Sequence, residues 1–402
     1  MKRIFFASIS AAVGLVFAAF LFFAAEVFFR LNETHRWIPR VPPVLRPAAG
    51  GYDAGTIDFS EIRQAPQDFG DGHIPSDVHE PNRLDFSECP KNISPKFDYW
   101  FGGPGCVVKA HLRKQAPSRR IIYEQVYHFE EDGSRLTPDQ DRNAKDALIF
   151  MGCSFTFGDG VKDSEVFSNQ LVRIFRDQGH SFRVLNLGTP GWGISQTVRL
   201  LRVPQDIRLK NLHGRGRDSI AVYNLIDDHF LRLVGSAEFL SRFKVHAGWP
   251  YFEMKGSTPQ DLGSFSSGRP FLTWFYGLIG NSALFKHFGV DLPLIGAREI
   301  QLMKAMILDL RSSIRNHYGI DHFVLSVFPG STRWSVPLAE QLRQEGVAVF
   351  DFSGLPINEK ETPGFFIPGD GHPSAAGHRL YARLLHREIT KKFPLVKSGA
   401  VR

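Results

Sequence analysis

From about residue 146 onwards, short apolar runs alternate with stretches whose apolar residues recur at helical spacing. The run at Ala147–Gly152 predicts a buried strand, and Glu165–Asp177 carries apolar residues spaced for one face of a helix. The same alternation predicts strands at Phe182–Leu187, Ser219–Leu225, His322–Phe328 and Val347–Phe352, and helices at Ile194–Val203, Arg298–Arg315, Val336–Gln344 and Ala375–Lys392. Repeated strand–helix units predict an α/β domain whose parallel sheet is covered by helices on both faces.

One long insert interrupts this alternation. Residues 235–295 are aromatic and rich in Gly and Pro, and they lie between a predicted strand and the next long helix. Loops at the C-terminal ends of parallel strands build the sites of such folds, so the insert is a candidate substrate cap. Its aromatic residues suit either a surface that stacks on a sugar or lines an acyl chain, or the core of the cap itself. They are Trp249, Tyr251, Phe252, Trp274, Phe275 and Tyr276.

The region before the α/β domain, residues 31–145, has a different character. Its first part is rich in Pro, Gly and Asp and lacks sustained periodicity, which is typical of a linker. Alternating apolar and polar residues at Ile121–Phe129, a turn containing Gly133 and the segment Ser134–Thr137 then predict a β-hairpin. A small β-containing region is therefore expected between the linker and the main domain.

The N-terminus predicts a membrane segment within residues 1–30. Lys2 and Arg3 precede Ile4–Ala25, a run of 22 residues without a charge. At about 1.5 Å per residue this run spans about 30 Å of hydrocarbon. A cleaved signal sequence is the alternative, but its apolar region is usually shorter, at about 7 to 15 residues. An uncleaved anchor is expected.

Two features bear on the side of the membrane where the body lies. Arginines follow the apolar run more densely than basic residues precede it, which by the positive-inside rule favours a cytoplasmic body. Cys89 and Cys106, in a Gly/Pro-rich region, are spaced for a loop-closing disulfide and so favour an oxidising compartment, although two free thiols remain the alternative. We expect the catalytic domain to be extracytoplasmic, that is, periplasmic or its equivalent.

Composition excludes several classes of function. The net charge of +7 comes from scattered basic residues, and the one short run, Arg208–Arg217, resembles a solvated loop, so no nucleic-acid partner is expected. Three cysteines are too few for a disulfide scaffold or a four-cysteine zinc site. The segment Gly152–Gly160 lacks the Lys of a phosphate loop and the spacing of a dinucleotide motif. No metal and no cofactor is expected.

Three residues form a candidate catalytic set. Ser154 follows the first strand directly, where a sharp turn presents a hydroxyl at the mouth of a sheet. Asp370 and His372 share one loop just before the last helix. A serine hydroxyl needs a base to take its proton, and the base needs an acceptor that holds its tautomer. An ordinary Gly-rich turn and a metal-binding Asp-x-His pair are the alternatives, and His378 is expected to be structural.

These residues resemble the conserved blocks of the SGNH (GDSL-like) hydrolases. The first block reads GCSFTFGDG from Gly152, the second NLGTPGWG from Asn186, and the last DGHPSAAGH from Asp370. The resemblance covers residues 146–396 and implies a flavodoxin-like three-layer α/β/α fold. It also implies that Ser154 is the nucleophile, His372 the general base and Asp370 its orienting carboxylate, with the backbone N–H groups of Ser154 and Gly188 in the oxyanion hole.

The chain departs from that family pattern twice. Cys153 replaces the usual Asp before the nucleophile, and it is expected to act as a small buried apolar residue. Asp227 stands where the family has an oxyanion-hole Asn, and a carboxylate would repel an oxyanion. We hypothesise that His229 supplies the missing donor, and the alternative is a scaffold role in which it pairs with Asp227 or Asp228. Asn224 lies within a strand and is a poor substitute.

The expected function is that of a membrane-anchored SGNH-type serine ester hydrolase acting through an acyl-enzyme on Ser154. Exported members of the family with an N-terminal anchor include polysaccharide O-acetyltransferases and acetylesterases, so an O-acyltransferase or acetylesterase acting on a cell-envelope polysaccharide is an alternative. A non-catalytic envelope binding protein on the same fold is another. The expected partners are an ester or acylated saccharide substrate and, through the N-terminal helix, a membrane.

Overall fold

The computed structural model describes Leu21 and residues 83–85, 107–113, 121–202, 216–242, 244–355, 357 and 364–395. The predicted anchor, apart from Leu21, lies outside these residues, as do Cys89, Cys106 and most of the basic run at 208–217. No helix within the described residues has the length and hydropathy to cross a membrane.

A small antiparallel sheet precedes the main domain. It contains β1 (Arg83–Asp85), β2 (Val107–Arg113) and β3 (Ile121–His128), in that order. The predicted hairpin is present but short, with its turn closed by the Gly133 N–H donating to the Glu130 carbonyl at 2.9 Å and by the Leu136 N–H donating to the His128 carbonyl at 2.8 Å. β3 pairs along its length with β2, and the segment after Gly133 contributes only a single bridge, between Phe129 and Arg135. Arg135 bridges Asn186 as well, which joins this region to the main sheet.

The remaining elements follow the predicted alternation, with ends that differ from the prediction by at most three residues. In chain order they are β4 (Ala147–Met151), α1 (Ser154–Phe157), α2 (Phe167–Asp177), β5 (Arg183–Asn186), α3 (Ile194–Leu201), β6 (Ile220–Leu225), α4 (Asp228–Val234), α5 (Ala237–Arg242), β7 (Pro250–Lys255), β8 (Thr258–Ser264), α6 (Phe265–Gly268), α7 (Pro270–Ile279), α8 (Ala283–Phe288), α9 (Ala297–Tyr318), β9 (His322–Val327), α10 (Ser335–Gln344), β10 (Ala348–Asp351) and α11 (Ala375–Lys392).

Five parallel strands form the central sheet, in the order β10-β9-β6-β4-β5. Counted from the first strand of the domain, this is the flavodoxin-like order 2-1-3-4-5. The expected α/β class with a parallel sheet is confirmed. The order reverses between β4 and β6, and in such folds ligands bind at that point, beyond the carboxyl ends of the strands.

Alternate side chains of each strand point to opposite faces of the sheet. Ile149 of β4 packs in one apolar cluster with α3, α9 and α10, while Leu148 and Phe150 pack in another with α2 and α11. Because both faces are covered, the central strands β4 and β6 are buried throughout and appear in the sequence as largely apolar runs.

The insert forms a compact cap from α5 to α8 and the β7–β8 hairpin. Phe239, Trp249, Tyr251 and Phe265 pack together as its own buried core. Phe252, from the same hairpin, is instead buried in the cluster on the α3 side of the main sheet. The hairpin therefore ties the cap to the body of the domain.

Candidate active site

Ser154 is the first residue of α1 and follows β4 after a two-residue turn. Cys153 before it has an extended backbone, so the chain turns sharply into the helix at the serine. Ser154 is 6% exposed. Within the described residues, its backbone N–H donates to no acceptor, which leaves that group available to a bound oxyanion, as the family resemblance implies.

Asp370 and His372 lie on the loop that leads into α11. The loop closes on itself, since the Ile367 N–H donates to the His372 carbonyl at 2.7 Å and the Asp370 N–H to the Ile367 carbonyl at 3.1 Å. Ser374 ends the loop and accepts a hydrogen bond from Gly377 N–H at 3.2 Å as the N-cap of α11. A rigid turn anchored on a long helix thus holds both side chains.

The structure brings the three predicted residues together. His372 Nε2 lies 2.8 Å from Ser154 Oγ, and its Nδ1 lies 2.5 Å from Asp370 Oδ2. The hydroxyl can therefore donate to Nε2 while Nδ1–H donates to the carboxylate, which is the tautomer that a general base needs. Serine and histidine are 218 positions apart in the chain, so only the folded sheet joins them.

Electrostatics suit His372 to its role. Burial of the imidazole lowers its pKa, but the charge and hydrogen bond of Asp370, with a further contribution from Asp159, outweigh burial and raise the pKa of His372 above its ordinary value. A base with a raised pKa holds the proton taken from the serine more firmly. Phe155 lies beside the imidazole, with ring centroids 5.3 Å apart, and limits its movement.

The expected oxyanion donor Gly188 needs correction. Its N–H donates to Asn186 Oδ1 at 3.0 Å and is already used. The glycine is required for packing instead, because a Cβ there would lie 2.4 Å from the backbone nitrogen of Phe157. Asn186 also donates from Nδ2 to the Thr156 carbonyl at 2.9 Å, so the second block braces the segment that carries Ser154.

Gly191, which the sequence analysis did not single out, offers an N–H in the same loop. Thr189 to Trp192 form a turn closed by the Trp192 N–H donating to the Thr189 carbonyl at 3.0 Å. Pro190 precedes Gly191, whose φ of +81° suits the third position of a type II turn. Within the described residues, the Gly191 N–H donates to no acceptor. The Pro-Gly pair was the sequence signal for this turn.

Asp227 has a structural role that the sequence did not reveal. Its carboxylate accepts hydrogen bonds from the backbone N–H groups of Arg333, Trp334 and Ser335 at 2.8 to 3.1 Å, and from Ser335 Oγ at 2.8 Å. It therefore caps the N-terminus of α10 from another segment of the chain. Asn224 is also structural, because Tyr381 OH donates to its Oδ1 at 2.7 Å.

His229, the hypothesised third donor, is fully buried in α4. Its Nδ1 lies 2.9 Å from Tyr223 OH, so it pairs with neither Asp227 nor Asp228 as the alternative supposed. Among the residues that the structure describes, its buried Nε2 has no hydrogen-bond partner. Burial, with a smaller effect from Arg232, lowers the pKa of His229 well below its ordinary value, so the imidazole is neutral.

The small β-sheet supports the nucleophile segment, which the sequence analysis did not anticipate. Tyr123 and Tyr127 of β3 donate to Asp159 Oδ1 at 3.0 and 2.6 Å, and Gly160 N–H donates to Tyr127 OH at 2.8 Å. The alternation in β3, which places both tyrosines on one face, was a signal for such a contact.

Arg135 completes this support. Its side chain is 1% exposed and donates to Asp163 Oδ1 at 3.0 Å and to three backbone carbonyls at 2.6 to 2.9 Å, those of Phe157, Gly158 and Val161. Its guanidinium also lies 4.4 Å from the ring centres of both Tyr127 and Phe157. The backbone of residues 157–161, which follows Ser154, thus surrounds the buried guanidinium of Arg135.

The other residues singled out by sequence have structural surroundings. Cys153 is a buried free thiol in the α2–α11 side of the core. His378 is fully buried, and its Nδ1 accepts from Phe167 N–H at 3.3 Å. Of the cap aromatics, Trp249 and Tyr251 are core, while Trp274 and Phe275 are exposed. Within the described residues, no three His, Cys, Asp or Glu side chains cluster as metal ligands.

No protein-family model matches the sequence, and a search of curated proteins finds no match. Among solved structures, the chain is similar to a Desulfitobacterium hafniense protein that is described as a putative lipolytic protein of the G-D-S-L family. The identity is 13% over 60% of this chain and 98% of that one, with a TM-score of 0.34. It is also similar to a family two carbohydrate esterase from Clostridium thermocellum in complex with cellohexaose, at 13% identity over 66% and 74%, with a TM-score of 0.35.

The chain is similar as well to a carbohydrate esterase whose active site is described as having divergent catalytic and non-catalytic binding functions. The identity is 11% over 78% of this chain and 98% of that one, with a TM-score of 0.38.

Proposed function

We propose that this chain is a serine esterase of the SGNH type that forms an acyl-enzyme on Ser154. The observation that carries the proposal is the continuous contact from Ser154 Oγ through His372 to Asp370, at 2.8 and 2.5 Å. A non-catalytic binding protein would have no need to keep these three groups in line. The complete triad therefore favours an enzyme.

The reaction proceeds in two halves. Ser154 Oγ attacks the ester carbonyl carbon as His372 Nε2 takes the hydroxyl proton, and the imidazolium then returns that proton to the leaving alcohol as the C–O bond breaks. Water, or the hydroxyl of an acceptor, next attacks the acyl-enzyme with His372 again as the base. Hydrolysis and acyl transfer differ only in the acceptor, so transfer to a saccharide hydroxyl remains the alternative outcome of the same site.

The oxyanion needs donors that point at the developing charge. The Ser154 and Gly191 N–H groups are both without an acceptor in the described residues and lie on segments joined by the Thr189 N–H, which donates to the Gly152 carbonyl at 3.1 Å. We assign these two groups to the hole in place of Gly188. His229, at the start of the helix that follows β6, stays the third candidate, and in the tautomer that accepts from Tyr223 OH its Nε2 carries a proton that it can donate. Its Ala variant is expected to lose about a hundredfold in turnover.

Pre-steady-state hydrolysis of p-nitrophenyl acetate and of longer-chain esters by the full chain tests the proposal. We expect a burst of p-nitrophenol equal to the enzyme concentration, followed by a slower steady rate set by deacylation. Ser154→Ala is expected to abolish the burst, whereas Cys153→Ala, which removes the neighbouring thiol, keeps it. A burst that survives in Ser154→Ala would overturn the proposal.

We also propose that the Ile4–Ala25 run tethers the chain to a membrane, with the catalytic domain outside the cytoplasm. The support for the tether is the 22-residue uncharged run, and the support for export is the spacing of Cys89 and Cys106, which suits a disulfide. A C-terminal fusion to a phosphatase that is active only after export is expected to be active, and the matching fluorescent fusion that folds only in the cytoplasm is expected to be dark. The reverse pattern would place the domain in the cytoplasm.

A further inference from the structure

Helix α7 in the cap turns apolar side chains outward. Phe271 is 71% exposed, Trp274 63% and Leu278 59%, and Leu272 and Phe275 lie beside them, also exposed. The five positions follow the spacing i, i+1, i+3, i+4 and i+7, so they form one face of the helix, here called the α7 face. A surface helix normally shows the opposite arrangement, and contiguous exposed apolar patches mark interaction sites.

The opposite side of α7 is already packed. Thr273 Oγ1 donates to the Phe265 carbonyl at 2.6 Å, and Thr273 is buried. Just beyond the helix, Gly280 lies so close to the start of α5 that a Cβ there would meet the Ala237 carbonyl oxygen at 1.9 Å. The helix is thus fixed on the cap by its polar and small residues, and no rotation can bury the α7 face instead.

The segment 265–298, which carries the α7 face, is apolar and has more basic than acidic residues. Val290 and Leu294 are exposed on the loop that follows α8. This loop is held against α5, because the Leu292 carbonyl accepts a hydrogen bond from the Ala237 N–H at 2.7 Å. Lys286 and Arg298 are exposed on the neighbouring helices. The one acidic residue between positions 265 and 298 is Asp291, and it accepts a hydrogen bond from the Glu238 N–H at 2.8 Å.

An apolar face of Trp, Phe and Leu on a segment with an excess of basic residues matches the interfacial layer of an anionic phospholipid bilayer. Aromatic and leucine side chains enter the boundary between headgroups and acyl chains, while lysine and arginine remain among the anionic headgroups. The predicted anchor at Ile4–Ala25 would also keep the domain beside a bilayer.

We propose that the α7 face docks on the surface of an anionic phospholipid bilayer. The cap core connects this face with the candidate active site, because Trp249 packs against Gly191, where a Cβ would lie 3.0 Å from the indole ring. Docking would therefore hold the cap side of the site towards the lipid surface. The proposal stands on the exposure and charge of the cap and does not depend on the catalytic proposal.

Tryptophan quenching in the full chain, reconstituted in vesicles of phosphatidylcholine and phosphatidylglycerol at about 3:1, tests the proposal. Replacing part of the phosphatidylcholine with its brominated form quenches only tryptophans that reach the acyl chains. We expect Trp274→Tyr to remove most of the quenched emission. The matched variant Trp334→Tyr, which changes a half-buried tryptophan on the main domain, is expected to leave it unchanged.

A second variant separates docking from loss of the fluorophore. Phe271→Ser combined with Leu278→Ser keeps Trp274 and is expected to weaken its quenching severalfold, whereas Leu262→Ser, at an exposed apolar position outside the α7 face, does not. Quenching is also expected to weaken in vesicles of phosphatidylcholine alone. An equal quenched fraction in wild type and Trp274→Tyr would overturn the proposal, as would concentration-dependent self-association through α7 without lipid quenching.

Discussion

At the scale of single residues, the candidate site depends on the balance of charge around His372. Asp370 and Asp159 favour the imidazolium, while burial and Arg232 oppose it. The net effect is a raised pKa of His372, so this imidazole becomes protonated, and stops acting as a base, at a higher pH than an ordinary histidine does. Catalysis by a neutral imidazole should then fail on the acid side of that pKa.

The pH profile of turnover tests this balance. For the wild type we expect kcat/KM to fall as the pH drops, with a midpoint above the ordinary histidine value. In Asp370→Asn the main group that raises the pKa is gone, so the midpoint should move to lower pH while turnover falls by about a hundredfold or more. A midpoint that stays in place in the variant would contradict the assigned pair.

Asp227 gives a second test at this scale. As the cap of α10, its removal should cost about 1–2 kcal/mol in the free energy of unfolding, because three backbone N–H groups lose their acceptor. Urea denaturation of Asp227→Ala measures the loss, and Asp228→Ala, at a half-exposed neighbour, should stay within about 0.5 kcal/mol. Unchanged stability with faster turnover would instead mean that the carboxylate faces the oxyanion.

At the scale of secondary-structure elements, the small β-sheet is part of the catalytic architecture. β3 and the residues after it hold the segment 157–163 through Tyr127 and Arg135. A region whose sequence only indicated a linker and a few strands thus fixes the turn that follows the nucleophile. The segment would otherwise be a loop with several unpaired backbone carbonyls.

Arg135 is expected to be a main determinant of stability. Arg135→Met would leave Asp163 Oδ1 and three carbonyls without the Arg135 donor, while His128 Nδ1 stays 2.6 Å from Asp163 Oδ2. We expect a loss of about 3 kcal/mol in the free energy of unfolding. Arg142→Met removes an exposed pair with Glu130 in the same region and should cost less than about 1 kcal/mol. Similar losses for both variants would show that the buried cation has no special role.

The sequence predicted the elements of the α/β domain well, and the reason is physical. Strands buried on both faces need apolar side chains at every position, and helices beside them need one apolar stripe, so both patterns are local. The pairing of β3 with β2, the burial of Arg135 and the capping of α10 by Asp227 were missed. Each depends on a contact between segments distant in the chain, for which no local pattern exists.

The same distinction applies to the candidate site. Ser154, Asp370 and His372 were predicted because each residue sits at a strand end or before a helix in a recognisable block. Gly188 was misassigned to the oxyanion hole because the family resemblance identifies only the block of residues and not which glycine N–H is available. In the structure Asn186 Oδ1 accepts from the Gly188 N–H and not from that of Gly191. That choice is made by the packing of the loop against the nucleophile segment.

At the scale of the whole molecule, the central sheet brings residues from both ends of the domain to one point. β4 carries Ser154 and the loop before α11 carries the other two residues, and the strand order reverses beside β4. Two buried neutral histidines, His229 and His378, sit within the same interior. Their protonation would therefore affect the stability of the fold as a whole.

Stability is expected to fall with acid because of His378. Burial lowers its pKa to about 3 in the folded chain, so below its ordinary value of 6.5 the unfolded chain binds a proton that the folded chain does not. The free energy of unfolding should then fall by up to about 1.4 kcal/mol per pH unit from this group. Urea denaturation between pH 7 and pH 5 should show a flatter dependence in His378→Phe.

The exposed His317 provides the control for that experiment. His317→Gln should keep the wild-type dependence on pH, since it changes a histidine at the surface and leaves the buried interior intact. A His378→Phe variant with the wild-type slope would mean that other groups govern the response to acid.

The reaction of the full chain with a fluorophosphonate, mapped by peptide mass spectrometry, tests the central claim most directly. A serine activated as described should carry one adduct, on the peptide that contains Ser154. The adduct should be absent in Ser154→Ala and form far more slowly in His372→Ala. No adduct on a folded chain, or an adduct on another residue, would contradict the assignment of Ser154 as the nucleophile.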